Sequence, residues 1–380
     1  VVAIDSYAGG DGRLSPLSTP SATRAVLEAH GIGTKYTLGQ NFLVNDDVLK
    51  KIIALAEVGE NDRVLEVGPG IGTLTIALLK HAASVIAIER DPDLPAVLAD
   101  TLHPWREKFA LIEKDALDVT RDDIVAAMVE IGGDTGYPDR ASSAANETAQ
   151  WAVSQSEDCL SESGYPVAPP QEDLQLSLPS KLVANLPYAV AATVVLDYFE
   201  SFPFLDSATI MVQKEVADRM AAAVGTKNYG AYTVKLGLYA EPAGRFAVGP
   251  GNFFPPPRVD SAVIRLNRRV PLMADGVPAS PEVIAAAALM ADAAFTNRRK
   301  TIANSCKTYF SGRGPILLGV ADSSAAEGAP TIALPDGAAT PERLPAIFEA
   351  AAIDPRRRGE TLTQQEFLAL GAALLKVTAA

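Results

Sequence analysis

The chain has 380 residues, 48% hydrophobic and 21% charged, the make-up of an ordinary globular protein long enough for two domains. Its two cysteines, Cys159 and Cys306, lie far apart in no ligand-like pattern, which speaks against a disulfide scaffold and suits a cytoplasmic protein. The net charge of −13 looks wrong for a polyanion-binding protein, but it is uneven: residues 35–131 and 132–180 each carry −7, whereas 181–313 carry +5.

Residues 1–34 show no clear period and hold Gly9-Gly10, Gly12, Pro16 and Pro20, so a loosely ordered tail is expected there. Val1 to Ile4 are apolar, but no basic region or long apolar run follows, and no signal peptide is expected. A polar turn, Gly39-Gln40-Asn41-Phe42-Leu43, precedes a helix cap at Asn45. From Arg63 strands and helices alternate: strand 63–67, a helix after Thr73, strand 84–89, helix 94–102 and strand 109–113. Such βαβ alternation predicts an open, mostly parallel sheet that binds ligands at its strand carboxyl ends.

Residues 132–180 break the pattern with eight acids against Arg140 alone, many serines and few large apolar residues, the composition of a flexible insertion. Structure resumes with strand 181–185, helix 191–199 and strand 208–212. A stiff Phe253-Phe254-Pro255-Pro256-Pro257-Arg258 loop leads to a last strand over 262–266. Helices follow: an alanine-rich one over 283–295, too short and interrupted to span a bilayer, one opening at Thr340-Pro341, and one behind a capping box at Thr363 to Glu366. The expected organisation is a tail over 1–34, a Rossmann-like α/β unit over 35–270 and a helical unit over 276–380.

Glu66-Val67-Gly68-Pro69-Gly70-Ile71-Gly72 is an acid ending a strand, followed by glycines that let the backbone turn sharply against a ligand. Glu89, 21 residues beyond Gly68, closes the next strand, where a carboxylate can accept from both hydroxyls of a ribose. Asp115, after the third strand, can accept from an adenine amino group. Alone, this pattern also fits a dinucleotide dehydrogenase, although Gly-x-Gly-x-Gly is one residue short of that fingerprint. Asn185-Leu186-Pro187-Tyr188 supplies the target. The Asn185 amide oxygen and the Leu186 carbonyl can accept both hydrogens of an exocyclic amine, while Tyr188 stacks on the ring and Phe253 closes its other face. In register behind the glycine turn, these residues read as methyl transfer from S-adenosylmethionine to N6 of an unpaired or extruded adenine. Asn41 and Leu43 suit a lid over the cofactor. Arg298-Arg299-Lys300, with Lys307 and Arg313 nearby, suits phosphate contacts. His30, His81 and His103 have no ligand spacing, and no metal site is expected.

On Gly39–Leu43, Val67–Gly70, Asn185–Tyr188, Gln213–Val216, Tyr229-Gly230, Pro255–Val263, Phe295–Thr301 and Ile353–Glu360, the chain resembles the small-subunit ribosomal RNA adenine dimethyltransferases of the KsgA type. The resemblance implies a Rossmann-like S-adenosylmethionine-dependent methyltransferase sheet with a small C-terminal helical domain that docks on the ribosome. It implies a cofactor site at Asn41, Leu43, Gly68, Gly70, Glu89, Asp115 and Asn185. The implied partner is 16S rRNA within the immature small subunit, two adjacent adenosines near its 3′ end each being methylated twice. A monomer is expected, without membrane or metal. The alternatives are the large-subunit enzyme of the macrolide-resistance type and an assembly factor acting mainly by binding. Two insertions depart from the family pattern, 132–180 and one near Gly319–Pro335.

Overall fold

The computed structural model describes residues 12–32, 41–132, 178–311, 317–319, 331–333 and 340–379. Gly39, Gln40, Arg313 and nearly all of the acidic insertion lie outside them. The first half of the chain forms α1 (Pro20–Ala29), β1 (Phe42–Leu43), α2 (Asp46–Ala56), β2 (Arg63–Val67), α3 (Thr73–Leu79), β3 (Ser84–Ile88), α4 (Pro95–Thr101), β4 (Phe109–Ile112) and α5 (Arg121–Gly132). After the insertion come β5 (Lys181–Asn185), α6 (Ala191–Ser201), β6 (Ser207–Gln213), α7 (Lys214–Met220), α8 (Ala231–Gly237), β7 (Ala240–Val248), β8 (Phe253–Phe254) and β9 (Ser261–Arg268). The last part is α9 (Pro281–Phe295), α10 (Ile302–Phe310), a short pair β10 (Leu317–Gly319) and β11 (Thr331–Ala333), α11 (Leu344–Ala350) and α12 (Gln364–Ala379).

Seven strands make one sheet in the order β4-β3-β2-β5-β6-β9-β7. The five from β4 to β6 are parallel, and β9 and β7 add antiparallel. β2 and β3 are buried along almost their whole length because helices cover both faces, which is why they read as continuous apolar runs. The chain leaves β2 outward through β3 and β4, then returns to lay β5 on β2's other side. That reversal opens a crevice at the carboxyl ends of β2 and β5. It sets the glycine turn after β2 beside the Asn-Leu-Pro-Tyr step after β5, 115 residues from Gly70 to Asn185 along the chain.

The expected strands and the mostly parallel sheet are present, with ends shifted by a residue or two. Three differences from expectation bear on the chain's reading. Residues 20–29 form a helix: the Thr19 side chain caps it by accepting from the Ala22 N–H, Pro20 opens it, and Val26 and Leu27 are buried with Leu17. The helix expected at Thr340-Pro341 starts only at Leu344. β7 went unforeseen because Pro242 and Gly244 look like breakers; it is an edge strand, where a missing N–H is tolerated, and it bulges between those two residues.

The helices after Pro281 enclose their own apolar cluster, with Met290, Ile302, Phe310, Ile347, Phe367 and Leu374 at its centre. The alanine content of α9 follows from a close crossing: a Cβ at Gly371 of α12 would lie 2.6 Å from the Val283 oxygen and the Ala287 nitrogen. Tyr229 of the α/β unit joins this cluster and donates its hydroxyl to the Leu362 carbonyl at 2.8 Å. Among the described residues no helix is long and apolar enough to cross a membrane, and no group of three His, Cys, Asp or Glu could hold a metal ion.

Candidate active site

A cavity of about 520 Å³ opens at the carboxyl ends of β2, β3 and β5, lined among others by Asn41, Leu43, Gly68, Gly70, Glu89, Asp115 and the Asn185–Tyr188 step. One floor is the glycine turn. Gly68 and Gly70 have φ of 70° and 62°, and a Cβ on Gly70 would come within 3.2 Å of the Phe42 ring. A side chain there would be strained and would crowd the cavity.

The acids form a graded set. Glu66, at the end of β2, is 1% exposed, and its Oε2 has no hydrogen-bond partner among the described residues. Burial pushes its carboxyl up from the ordinary 4.5 to about 8, with the neighbouring Glu89 charge adding in the same direction. The Thr73 hydroxyl, another lining group, is also buried and unpartnered. Glu89 is nearly buried and shifted upward by burial; its Oε1 accepts the backbone N–H groups of Arg90 and Asp91 at 2.9 and 2.8 Å. Asp115 stands at the rim. Its Oδ2 accepts from Arg90 Nη1 at 2.8 Å and its Oδ1 from the Leu117 N–H, and the Arg90 hydrogen bond holds this carboxyl below its usual range. Buried polar groups at Glu66 and Thr73, beside the ribose-spaced carboxylate of Glu89, suit a nucleoside-bearing cofactor. An S-adenosylmethionine fits this donor and acceptor set.

Opposite the glycines, Asn185 Nδ2 donates to the Asn41 carbonyl at 3.2 Å. A carbonyl can face only the NH₂ end of the amide, so this contact fixes which end is which and turns Oδ1 away from it. The Leu186 N–H is used by the Met211 carbonyl at 3.1 Å, and the Pro187 carbonyl accepts from Val190 and Ala191 at the start of α6. The Leu186 carbonyl takes no such bond among the described residues. Pro187 has no N–H and a fixed φ, so the step is rigid. Tyr188 is half-buried beside it and its hydroxyl meets Ser261 Oγ at 2.6 Å.

The structure thus brings Asn41, Leu43, Gly68, Gly70, Glu89, Asp115, Asn185, Leu186 and Tyr188 around one cavity. Phe253, expected as the second ring, is not among the lining residues. It is 4% exposed in β8, opposite Leu43 of β1, which gives it a packing role in this conformation. Arg298, Arg299 and Lys300 lie outside the cavity, in the turn after α9. Arg298 is committed internally: Nε pairs with Glu360 Oε2 at 2.9 Å and Nη2 donates to the Thr226 carbonyl at 2.9 Å. Arg299 and Lys300 are exposed. Sequence reasoning gave no role to Arg90, nor to Ser261 within the Pro255–Val263 stretch. Each stands beside a residue that was singled out, but nothing local announces a side chain that serves by holding its neighbour.

A family model described as "Ribosomal RNA adenine dimethylase" matches residues 33–329. The chain belongs to the ribosomal RNA adenine dimethylase family. Its relatives in that family include the ribosomal RNA small subunit methyltransferase A of a Geobacillus species (strain WCH70), 32% identical over 361 residues, covering 95% of this chain and 98% of the relative. The protein of the same name from Enterococcus faecalis is 33% identical over 360 residues, covering 95% and 97%. A crystal structure of a dimethyladenosine transferase from Plasmodium falciparum shares the fold, with a TM-score of 0.56 at 20% identity over 88% of this chain and 98% of that one. As a ribosomal RNA adenine dimethylase, the chain is a methyl-transferring enzyme, and the cavity lies where this fold class binds its ligands.

Proposed function

We infer that this dimethylase transfers methyl groups from S-adenosylmethionine to N6 of two adjacent adenosines near the 3′ end of 16S rRNA, within the immature small subunit, giving N6,N6-dimethyladenosines. The small-subunit choice is supported by relatives of that name that match 95% of the chain. One observation carries the chemistry: the Asn185 amide is oriented by the Asn41 carbonyl so that its oxygen is the end left for a ligand.

The bound cofactor supplies an electrophilic methyl group whose leaving thioether is neutral, so acid catalysis is not required. The obstacle is the nucleophile, because the N6 lone pair is delocalised into the ring. Asn185 Oδ1 and the Leu186 carbonyl, held by Pro187, accept both N6 hydrogens in the first transfer and the remaining one in the second, drawing the nitrogen towards tetrahedral geometry. This is positioning with electrostatic stabilisation, and the rigid backbone makes it nearly free of reorganisation. Each methylated, cationic nitrogen then loses one proton to water. Tyr188 offers its face to the base. Glu89 would hold the cofactor's ribose and Asp115 its amino group, with Asn41 and Leu43 lining the methionine end. Docking on the subunit is assigned to the turn after α9. There Arg299 and Lys300 meet phosphates, and Arg298, tied to Glu360 and Thr226, holds the turn in place.

The test is methylation of immature small subunits lacking the modification, with labelled S-adenosylmethionine and mass-spectrometric mapping. Two adjacent N6,N6-dimethyladenosines, lost by at least about a hundredfold in Asn185→Ala, are expected. Label confined to large-subunit RNA would refute the substrate, and an unimpaired Asn185→Ala would refute the mechanism.

A further inference from the structure

Tyr188 is anchored at both ends. Its backbone follows Pro187, whose carbonyl already serves the first turn of α6. Its hydroxyl lies 2.6 Å from Ser261 Oγ. Ser261 is fully buried and opens β9, where its backbone is paired on one side with Gln213 of β6 and on the other with Val248 of β7. It is therefore among the most firmly placed atoms near the cavity, and Tyr188 is the partner its hydroxyl meets. Tyr188 lines the cavity and is only half-buried, so packing alone leaves its ring room to turn about χ1 and χ2.

We propose that Ser261 is a positioning residue for methyl transfer: its hydroxyl holds the Tyr188 ring in the plane that receives the target base. The proposal rests on Tyr188 being the ring on which the adenine stacks. A stacking wall helps only when its plane is set before the base arrives, because a ring that must be ordered in each turnover takes that cost from the transition state. A hydrogen bond to a rigid strand is how a half-exposed aromatic ring is pre-set. It also accounts for a serine in the Pro255–Val263 stretch, which the cofactor chemistry does not use.

The consequence is specific. Loss of the bond slows transfer to correctly bound RNA, leaves cofactor binding alone, and does so equally whichever partner is removed. The experiment is a double-mutant cycle on the full chain, Ser261→Ala, Tyr188→Phe and both together, with Tyr188→Ala as reference. Each is followed by single-turnover methylation of immature small subunits, by S-adenosylhomocysteine titration calorimetry and by thermal unfolding. Each single change is expected to slow transfer about fivefold, the worth of one neutral hydrogen bond. Affinity for S-adenosylhomocysteine stays within about twofold, and the double variant is no slower than the slower single. A wild-type rate in Ser261→Ala overturns the proposal, as do effects that multiply in the double variant or a loss that tracks cofactor affinity or unfolding temperature. The stacking reading is tested separately by Tyr188→Ala. If that variant transfers at the wild-type rate, the ring itself is dispensable and both ideas fall. If it is inactive while Ser261→Ala is unaffected, only the role of Ser261 falls.

Discussion

Glu66 offers the sharpest test of the electrostatics. It is 1% exposed, Oε2 has no partner among the described residues, and its carboxyl is raised to about 8. The folded protein therefore keeps a proton that the unfolded chain releases near pH 4.5. Between those values the unfolded state binds fewer protons, so stability falls as pH rises, by up to a factor of ten in the folding constant per pH unit, and levels off above pH 8. Glu66→Gln removes the proton uptake while keeping the shape. Relative to the wild type its stability should be nearly level below pH 4.5 and climb steadily through pH 8, reaching a difference of about 3 kcal/mol at pH 7. Any fixed cost of placing an amide there shifts the whole difference curve without changing its slope. Glu89 and Glu200 are also raised by burial and contribute to the wild-type profile, so the difference between variants is the quantity to follow, not the wild-type curve. Urea denaturation at half-unit steps from pH 5 to 8.5 supplies it. Parallel curves across that range would show that Glu66 folds as an ordinary carboxylate, and the account of a buried neutral acid at the cavity would be wrong.

Three further outcomes are expected. Arg268 donates to the carbonyls of Leu205, Phe199 and Phe202 at 2.5, 3.0 and 2.7 Å and lies over the Phe199 ring, so it closes the carboxyl end of α6, the helix that follows the Asn185–Tyr188 step. Arg268→Met strands three carbonyls and should lose about 3 kcal/mol in urea denaturation, and a loss below about 1 kcal/mol would refute that role. Arg299→Ala with Lys300→Ala should leave stability unchanged and lower the salt dependence of small-subunit binding by about two phosphate contacts. Arg298→Ala should instead lower the unfolding temperature, because it removes the Glu360 and Thr226 contacts.

What could be read from the sequence, and what could not, divides along the range of the interactions. β2, β3 and β5 were legible because burial on both faces writes each as a short apolar run. The glycine turn and the Asn-Leu-Pro-Tyr step were legible because their residue types are required by their own backbone. Asn185 and Glu89 followed, since each ends a strand that could already be seen. Helix α1 was missed because its apolar positions, Val26 and Leu27 with Leu17 before it, are few and sit among polar and small residues. Phe253 shows the opposite limit. Its ring type was right for stacking, but its burial is set by β8 pairing with β1, across 210 residues from Leu43 to Phe253, and no local pattern records that register. Ser261 is the same case with a different consequence: the sheet brings it to Tyr188 from 73 residues away. The groups proposed to touch a ligand sit at strand ends, where local sequence is informative. The groups that hold them still come from strand pairings, and they are where structure adds most to the chemistry. Strand register, which pairs Ser261 of β9 with Gln213 and Val248, is therefore what sets its hydroxyl against Tyr188.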